Sequence, residues 1–161
     1  MVIILMGVTG SGKTTVGEQL AEELGWTYYD ADDFHPQANT KKMAQGTPLS
    51  DEDRWPWLER LAAEIGQWLD VEGGAILGCS ALKQSYRDVL VGGREGVRVV
   101  HLNGAKELIA QRLEIRVHRY MPASLLDSQF ETLEEPRDAL SVDISPAPAA
   151  IAVSIRSALG I

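Results

Sequence analysis

Apolar residues run unbroken through Val2-Ile3-Ile4-Leu5-Met6, and then change to a spacing of three and four: Val16, Leu20, Ala21 and Leu24. The first pattern predicts a strand buried on both faces. The second predicts an amphipathic helix over Thr14 to Leu24, ended by Gly25. The same alternation continues. Trp26 to Asp30 predicts a second strand, and Pro36 opens a loop or short helix that lasts to about Gly46. Ser50 is placed to cap a helix, with Asp53 three residues on and Asp51 and Glu52 in the first turn. That helix carries Leu58, Leu61, Ala62, Ile65, Trp68 and Leu69 on one face and stops near Gly73-Gly74. Ala75 to Cys79 predicts a third strand, ending at Ser80. Ala81 to about Val91 predicts a helix closed by Gly92-Gly93. Val97 to Leu102 predicts a fourth strand, and Ala105 to about Arg116 a helix with Leu108, Ile109 and Leu113 inward. Val117 to Pro122 fits neither period. Ser124 to Leu133 predicts a helix, Ala139 to Ile144 a fifth strand, and Pro146 to Leu159 a last helix. Strands that alternate with helices argue for an α/β fold: a parallel sheet with helices on both faces.

Composition narrows the class. The chain has 161 residues, enough for one domain with a real core, and residues 1–161 are read as that domain. A formal net charge of −8 gives duplex nucleic acid no electrostatic purchase, so a local basic cluster implies a local anion. The single cysteine, Cys79, permits no internal disulfide and fits a reducing compartment. No window approaches the ~18 apolar residues of a membrane span, and the first strand is too short for a signal-peptide core. A cytoplasmic enzyme is expected, with no nucleic-acid or membrane partner.

Between the first strand and first helix lies Gly7-Val8-Thr9-Gly10-Ser11-Gly12-Lys13-Thr14, which matches G-x-x-x-x-G-K-[ST]. The glycines let backbone N–H groups turn inward around phosphate oxygens, and the helix N-terminus adds positive potential. Lys13 reaches the β- and γ-phosphates, the Thr14 hydroxyl ligates Mg²⁺, and Thr15 completes the nucleotide-binding stretch. ATP and Mg²⁺ are the expected cofactors. The third strand ends in Cys79-Ser80 and supplies no carboxylate, so the acidic work falls to Asp30-Ala31-Asp32-Asp33 at the end of the second strand. Asp32 is the candidate for orienting or deprotonating an acceptor hydroxyl, and Asp30 for holding Mg²⁺ through water. Asp33 reads equally as a helix cap.

The basic groups form two sets. Lys83 and Arg87, four residues apart, would share one helix face near the carboxyl edge of the sheet. Arg54 occupies the first turn of its helix, where a cation does not help the helix, which hints at a ligand. Arg112, Arg116, His118 and Arg119 straddle the irregular segment, as the arginines of a closing lid would; Arg116 is the catalytic candidate and Arg112 the nucleotide contact. His35, after the acidic cluster, is a candidate for an acceptor hydroxyl. His101, within a strand, reads as structural, and Trp55, Trp57 and Trp68 as core or cover.

These segments together resemble the gluconate kinases (gluconokinases), relatives of shikimate kinase and the nucleoside-monophosphate kinases. The markers are the glycine loop, Asp30-Ala31-Asp32-Asp33-Phe34-His35, Gly46-Thr47-Pro48-Leu49-Ser50-Asp51-Glu52-Asp53-Arg54, Cys79-Ser80-Ala81-Leu82-Lys83 with Tyr86-Arg87-Asp88, and Met121-Pro122-Ala123-Ser124-Leu125-Leu126-Asp127-Ser128-Gln129-Phe130. The resemblance implies a three-layer P-loop kinase fold with a five-stranded parallel sheet, an acceptor-binding region at about 30–70 and a lid at about 116–126. It implies Mg²⁺- and ATP-dependent phosphorylation of D-gluconate to 6-phosphogluconate, and a homodimer in many members. Gluconate would offer its carboxylate to Arg54, Lys83 or Arg87, and its hydroxyls to Asp32, His35 or Gln129. The alternatives are another small anionic acceptor, such as a different sugar acid or shikimate, and a nucleotide-dependent switch. In one respect the chain departs from the pattern: Arg119 stands where the family usually has His before the aromatic-Met-Pro, and His118 comes one residue earlier.

Overall fold

The computed structural model of the chain describes residues 1–115 and 123–161. Its five strands are β1 (Val2–Met6), β2 (Thr27–Asp30), β3 (Ala75–Gly78), β4 (Val97–Asn103) and β5 (Leu140–Asp143), and they form one sheet in the order β2-β3-β1-β4-β5. Every neighbouring pair is parallel. The helices are α1 (Lys13–Leu24), α2 (Gln37–Ala44), α3 (Asp51–Leu69), α4 (Gln84–Val91), α5 (Lys106–Ile115), α6 (Ala123–Thr132) and α7 (Pro148–Leu159), with a 3₁₀ turn at Ala31–Phe34.

The unbroken apolar run of β1 has its reason in this order. β1 lies at the centre, bonded to β3 on one side and β4 on the other, and all five of its residues are buried. Ile3 and Leu5 pack with Val16 and Leu20 of α1 and Ile151 and Ile155 of α7. Val2, Ile4 and Met6 point the other way, toward Leu58, Leu61 and Ile65 of α3 and Leu90 of α4. Period-two side chains thus feed two cores, one on each face of the sheet. From β1 the chain leaves first toward β2 and later toward β4, so the loop after β1 opens at the point where strand order reverses. Ligands of open α/β sheets bind there, beyond the carboxyl ends of the strands.

Two local expectations hold in detail. Ser50 and Asp53 form a complete capping box at the start of α3. Gly25 ends α1 at φ 68, a left-handed conformation natural to glycine, with its N–H bonded to the Ala21 carbonyl. One helix start differs. The expected helix from Ala81 begins instead at Gln84, because Ala81 sits at φ 44 and Lys83 is an extended N-cap. That three-residue delay changes where Lys83 points.

Candidate active site

Gly12 is the N-cap of α1 at φ 96 and brings no side chain to cap it, and no acidic residue occupies the first turn. The helix therefore presents its N-terminal N–H groups and positive end to the loop. Gly7 is needed for a different reason: a Cβ there would lie 2.6 Å from Ser11 Oγ and 3.0 Å from the Leu102 carbonyl oxygen. Ser11 Oγ is buried without a hydrogen-bond partner among the described residues. Lys13 Nζ folds over the loop, donating to the Gly7 carbonyl at 2.8 Å and to the Val8 carbonyl at 3.0 Å. Beside the loop lies a cavity of about 390 Å³, walled by Gly10, Gly12, Thr15, Arg112, Pro146 and Pro148 among others. Arg112 is held at its rim by donating to the Ile144 carbonyl at 2.6 Å. An uncapped helix end, an orphaned hydroxyl and a nucleoside-sized cavity fit a nucleoside triphosphate.

The acidic end of β2 is organised from within. Asp30 Oδ1 accepts from the Asp32 N–H at 2.9 Å and caps the 3₁₀ turn, so the capping role that Asp33 was offered is filled by Asp30. Asp32 turns its carboxylate outward, 3.7 Å from His35 Nε2. The neighbouring His35 ring and the charge of Lys13 hold the Asp32 carboxyl below the usual carboxylate range. His35 stacks on Trp57 with ring centroids 4.2 Å apart. Its Nδ1 faces Asn39 Nδ2 at 3.1 Å. An amide N–H donated to Nδ1 leaves the ring proton on Nε2, aimed at Asp32. The His35 side chain is only 4% exposed, which leaves little of it open to an acceptor hydroxyl, and its Nε2 faces Asp32.

A second cluster forms where the start of α3 meets the β3–α4 loop. Asp51 accepts from Lys83 Nζ at 3.1 Å and from the Tyr86 hydroxyl at 2.5 Å, and lies 3.8 Å from Arg54. The Tyr86 and Lys83 bonds hold the Asp51 carboxyl below its ordinary value, and the bond to Asp51 raises that of Lys83. Burial raises the Tyr86 phenol, helped by Asp51. Arg54 also lies over the Tyr86 ring, 5.9 Å from its centroid. Two cations face one carboxylate, so this cluster carries net positive charge. Sequence reasoning missed Asp51 and Tyr86 as members of this group: Asp51 was accounted for by the helix start, and nothing in the spacing joins it to Tyr86.

Two expected acceptor ligands are engaged elsewhere. Arg87 is buried and does not share a face with Lys83. Its guanidinium donates to the carbonyls of Ala81 (2.7 Å), Leu82 (3.1 Å) and Glu134 (2.7 Å) and to Gln84 Oε1 (3.0 Å). It pins the β3–α4 loop, and burial lowers its pKa. The i, i+4 argument required Lys83 to be helical, and it is not. Gln129 directs its amide to Thr9 in the glycine loop: Oε1 accepts from the Thr9 N–H at 2.6 Å and Nε2 donates to Thr9 Oγ1 at 2.8 Å. Arg116, His118 and Arg119, with most of the expected lid, lie outside the described residues. His101 is buried in β4 and kept less basic by burial, as a structural histidine would be. Cys79 is fully buried and its thiol is pushed up to about 12, chiefly by burial, which leaves it inert at neutral pH.

Comparison with known proteins places the chain in a family. The family model described as shikimate kinase matches residues 9–147. The thermosensitive gluconokinase of Escherichia coli is 48% identical over 147 residues, covering 88% of this chain and 78% of that one. The chain belongs to the gluconokinase family. A probable gluconokinase of Xenopus tropicalis is 46% identical over 151 residues, covering 84% and 80% of the two chains. The crystal structure of a gluconokinase from Sinorhizobium meliloti superposes with a TM-score of 0.83 at 41% identity, covering 98% of this chain and 92% of that one. This gluconokinase-family chain is accordingly a kinase that uses ATP. Among the described residues no helix is long and apolar enough to cross a membrane.

Proposed function

We propose that this kinase transfers the γ-phosphoryl group of ATP to D-gluconate and forms 6-phospho-D-gluconate. The observation that carries the reading is the cationic cluster of Arg54 and Lys83 on the acceptor side, in a chain whose 46–48% identical relatives are gluconokinases. The glycine loop and the N-terminus of α1 bind the phosphates. Lys13 keeps its bond to the Val8 carbonyl, gives its other ammonium hydrogens to phosphate oxygens and follows the charge that develops on the moving group. Arg54 and Lys83 take the gluconate carboxylate, and Asp51 with Tyr86 sets their spacing. Asp32, ionised at neutral pH and oriented by His35, accepts the proton of the attacking hydroxyl. Arg112 stands by the nucleoside, and Arg116 is assigned to the transferring phosphoryl group.

Among the described residues no group of three or more His, Cys, Asp or Glu side chains gathers to hold a metal. That fits Mg²⁺, which keeps most of its waters and leans on substrate phosphates. Thr14, whose Oγ1 is 3.5 Å from the Tyr28 hydroxyl, and Asp30 would hold it. When bound, it neutralises phosphate charge.

The test is ADP release from ATP, coupled to a spectroscopic readout, with gluconate, other sugar acids, shikimate and nucleoside monophosphates as acceptors. Gluconate should give the highest kcat/KM. Turnover with shikimate or a nucleoside monophosphate but none with gluconate would overturn the proposal.

A further inference from the structure

The peptide unit that joins Val8 to Thr9 is held from both sides. Its carbonyl, on Val8, accepts from Lys13 Nζ at 3.0 Å and from the Ser11 N–H at 3.1 Å. Its N–H, on Thr9, donates to Gln129 Oε1 at 2.6 Å. Gln129 is 120 residues away in sequence, on α6, and its Nε2 also donates to Thr9 Oγ1. An ion pair between Lys106 of α5 and Asp127 ties α6 to its neighbour, so the amide reaches the loop from an anchored helix.

We propose that Gln129 is a positioning residue for phosphoryl transfer: it fixes the orientation of the Val8–Thr9 peptide and, through the Val8 carbonyl, the place of the Lys13 ammonium. The backbone around this peptide is soft, with Gly7 at φ 155 and Gly10 at φ 84, so local sterics alone hold it weakly. An N–H and a C=O in one amide polarise each other, so a bond made at one end strengthens those at the other. Gln supplies both an acceptor for the Thr9 N–H and a donor for the Thr9 hydroxyl, a pairing that a methionine or leucine of similar size cannot make. Lys13 must follow charge that develops in the transition state, and a displacement of about 1 Å can cost on the order of 100-fold in rate. The acceptor cluster at Arg54, Lys83, Asp51 and Tyr86 does not involve Gln129.

The inference rests on the kinase reading above, and its test has one arm that depends on turnover and one that does not. In the ADP-release assay, Gln129→Leu should lower kcat by about 10- to 100-fold and leave the gluconate KM within about threefold. Thr9→Ala removes only the hydroxyl contact and should cost less. The double variant should match Gln129→Leu, because the Thr9 hydroxyl loses its partner in either case. Gln129→Glu keeps an acceptor for the Thr9 N–H and should recover part of the loss. A gluconate KM raised tenfold or more with kcat preserved would make Gln129 an acceptor ligand and overturn the proposal; unchanged kcat and KM would also overturn it. If the wild type did not turn over gluconate at all, the functional reading would fail and the second arm would decide. That arm is hydrogen exchange of the Thr9 amide, followed by NMR on the nucleotide-free protein. Exchange about tenfold faster or more in Gln129→Leu, with exchange in the β1 amides unchanged, supports the tie. Equal Thr9 rates in both proteins would overturn it.

Discussion

Asp32→Asn removes a charge and almost nothing else. The Asp32 side chain is 78% exposed and lies 3.7 Å from His35, so the fold should change in stability by less than about 0.5 kcal/mol. In a chain of this size that moves Tm by no more than about 2 °C. The catalytic cost is of another order. A positioned general base contributes about 10²- to 10⁴-fold, or about 3–5 kcal/mol of barrier. Asn keeps the shape and can still accept from His35, but it cannot take the hydroxyl proton. The assay is ADP release under saturating ATP and gluconate, with ATP affinity measured separately by calorimetry. The expected result is kcat down by 100-fold or more, gluconate KM little changed, and ATP binding equal or slightly tighter for the loss of a negative charge near the phosphates. The pH profile supplies a second check. His35 holds the Asp32 carboxyl below its ordinary 3.8, so the base stays ionised as pH falls and is lost only below that value. The wild type should therefore show no acid limb from this group between pH 5 and pH 8. A kcat within about threefold of wild type would refute the base assignment and leave Asp32 as a surface carboxylate.

Lys13→Ala should lower kcat by about 10³-fold or more, since preorganised positive charge on the transferring group is worth several kcal/mol; turnover near the wild-type rate would show that the ammonium is not needed. Arg87→Met strips the Ala81, Leu82 and Glu134 carbonyls of a buried donor and should destabilise the protein by about 2–4 kcal/mol in urea unfolding. Unaltered stability with a raised gluconate KM would instead return Arg87 to the acceptor site. Asp53 is held at about 2 by Lys42 and by the Ser50 N–H, so its stabilising contribution is fully present above its unfolded value near 3.8 and disappears as pH falls through about 2. Asp53→Asn should lower Tm at pH 7 and make progressively less difference toward pH 2, whereas an equal deficit at both ends would exclude the carboxylate as the cause.

What the sequence made legible is what the backbone decides locally. Val2 to Met6 could only be a strand buried on both faces, and the sheet places it in the centre. Ser50 and Asp53 carry their own instruction, since each bonds the other's backbone without help from the rest of the fold. The glycine loop is legible for the same reason: Gly7 is required because Ser11 and Leu102 leave no room for a Cβ, and Gly12 because the helix must begin at positive φ.

The acceptor side was legible as a list of charges and not as an arrangement, and Ala81 shows why. A helix from Ala81 would have carried Lys83 and Arg87 on one face. With Ala81 at φ 44 the helix waits until Gln84, which sends Lys83 across to Asp51 and lets Arg87 turn in to grip the carbonyls just behind it. The buried guanidinium stabilises the loop that redirects Lys83, so a single turn takes one cation into the interior and sends the other to Asp51, where the acceptor is proposed to bind. No periodicity records that, because the acceptors of Arg87 are backbone carbonyls, which have no signature in side-chain spacing. Gln129 was expected at an acceptor hydroxyl, and its contact with the glycine loop escaped for a related reason: its partners there are a backbone N–H and a hydroxyl 120 residues away. Residues that act through the backbone of a distant segment are invisible to motif and period alike, and under the proposal above Gln129 is the one that sets where the motif's own lysine lies.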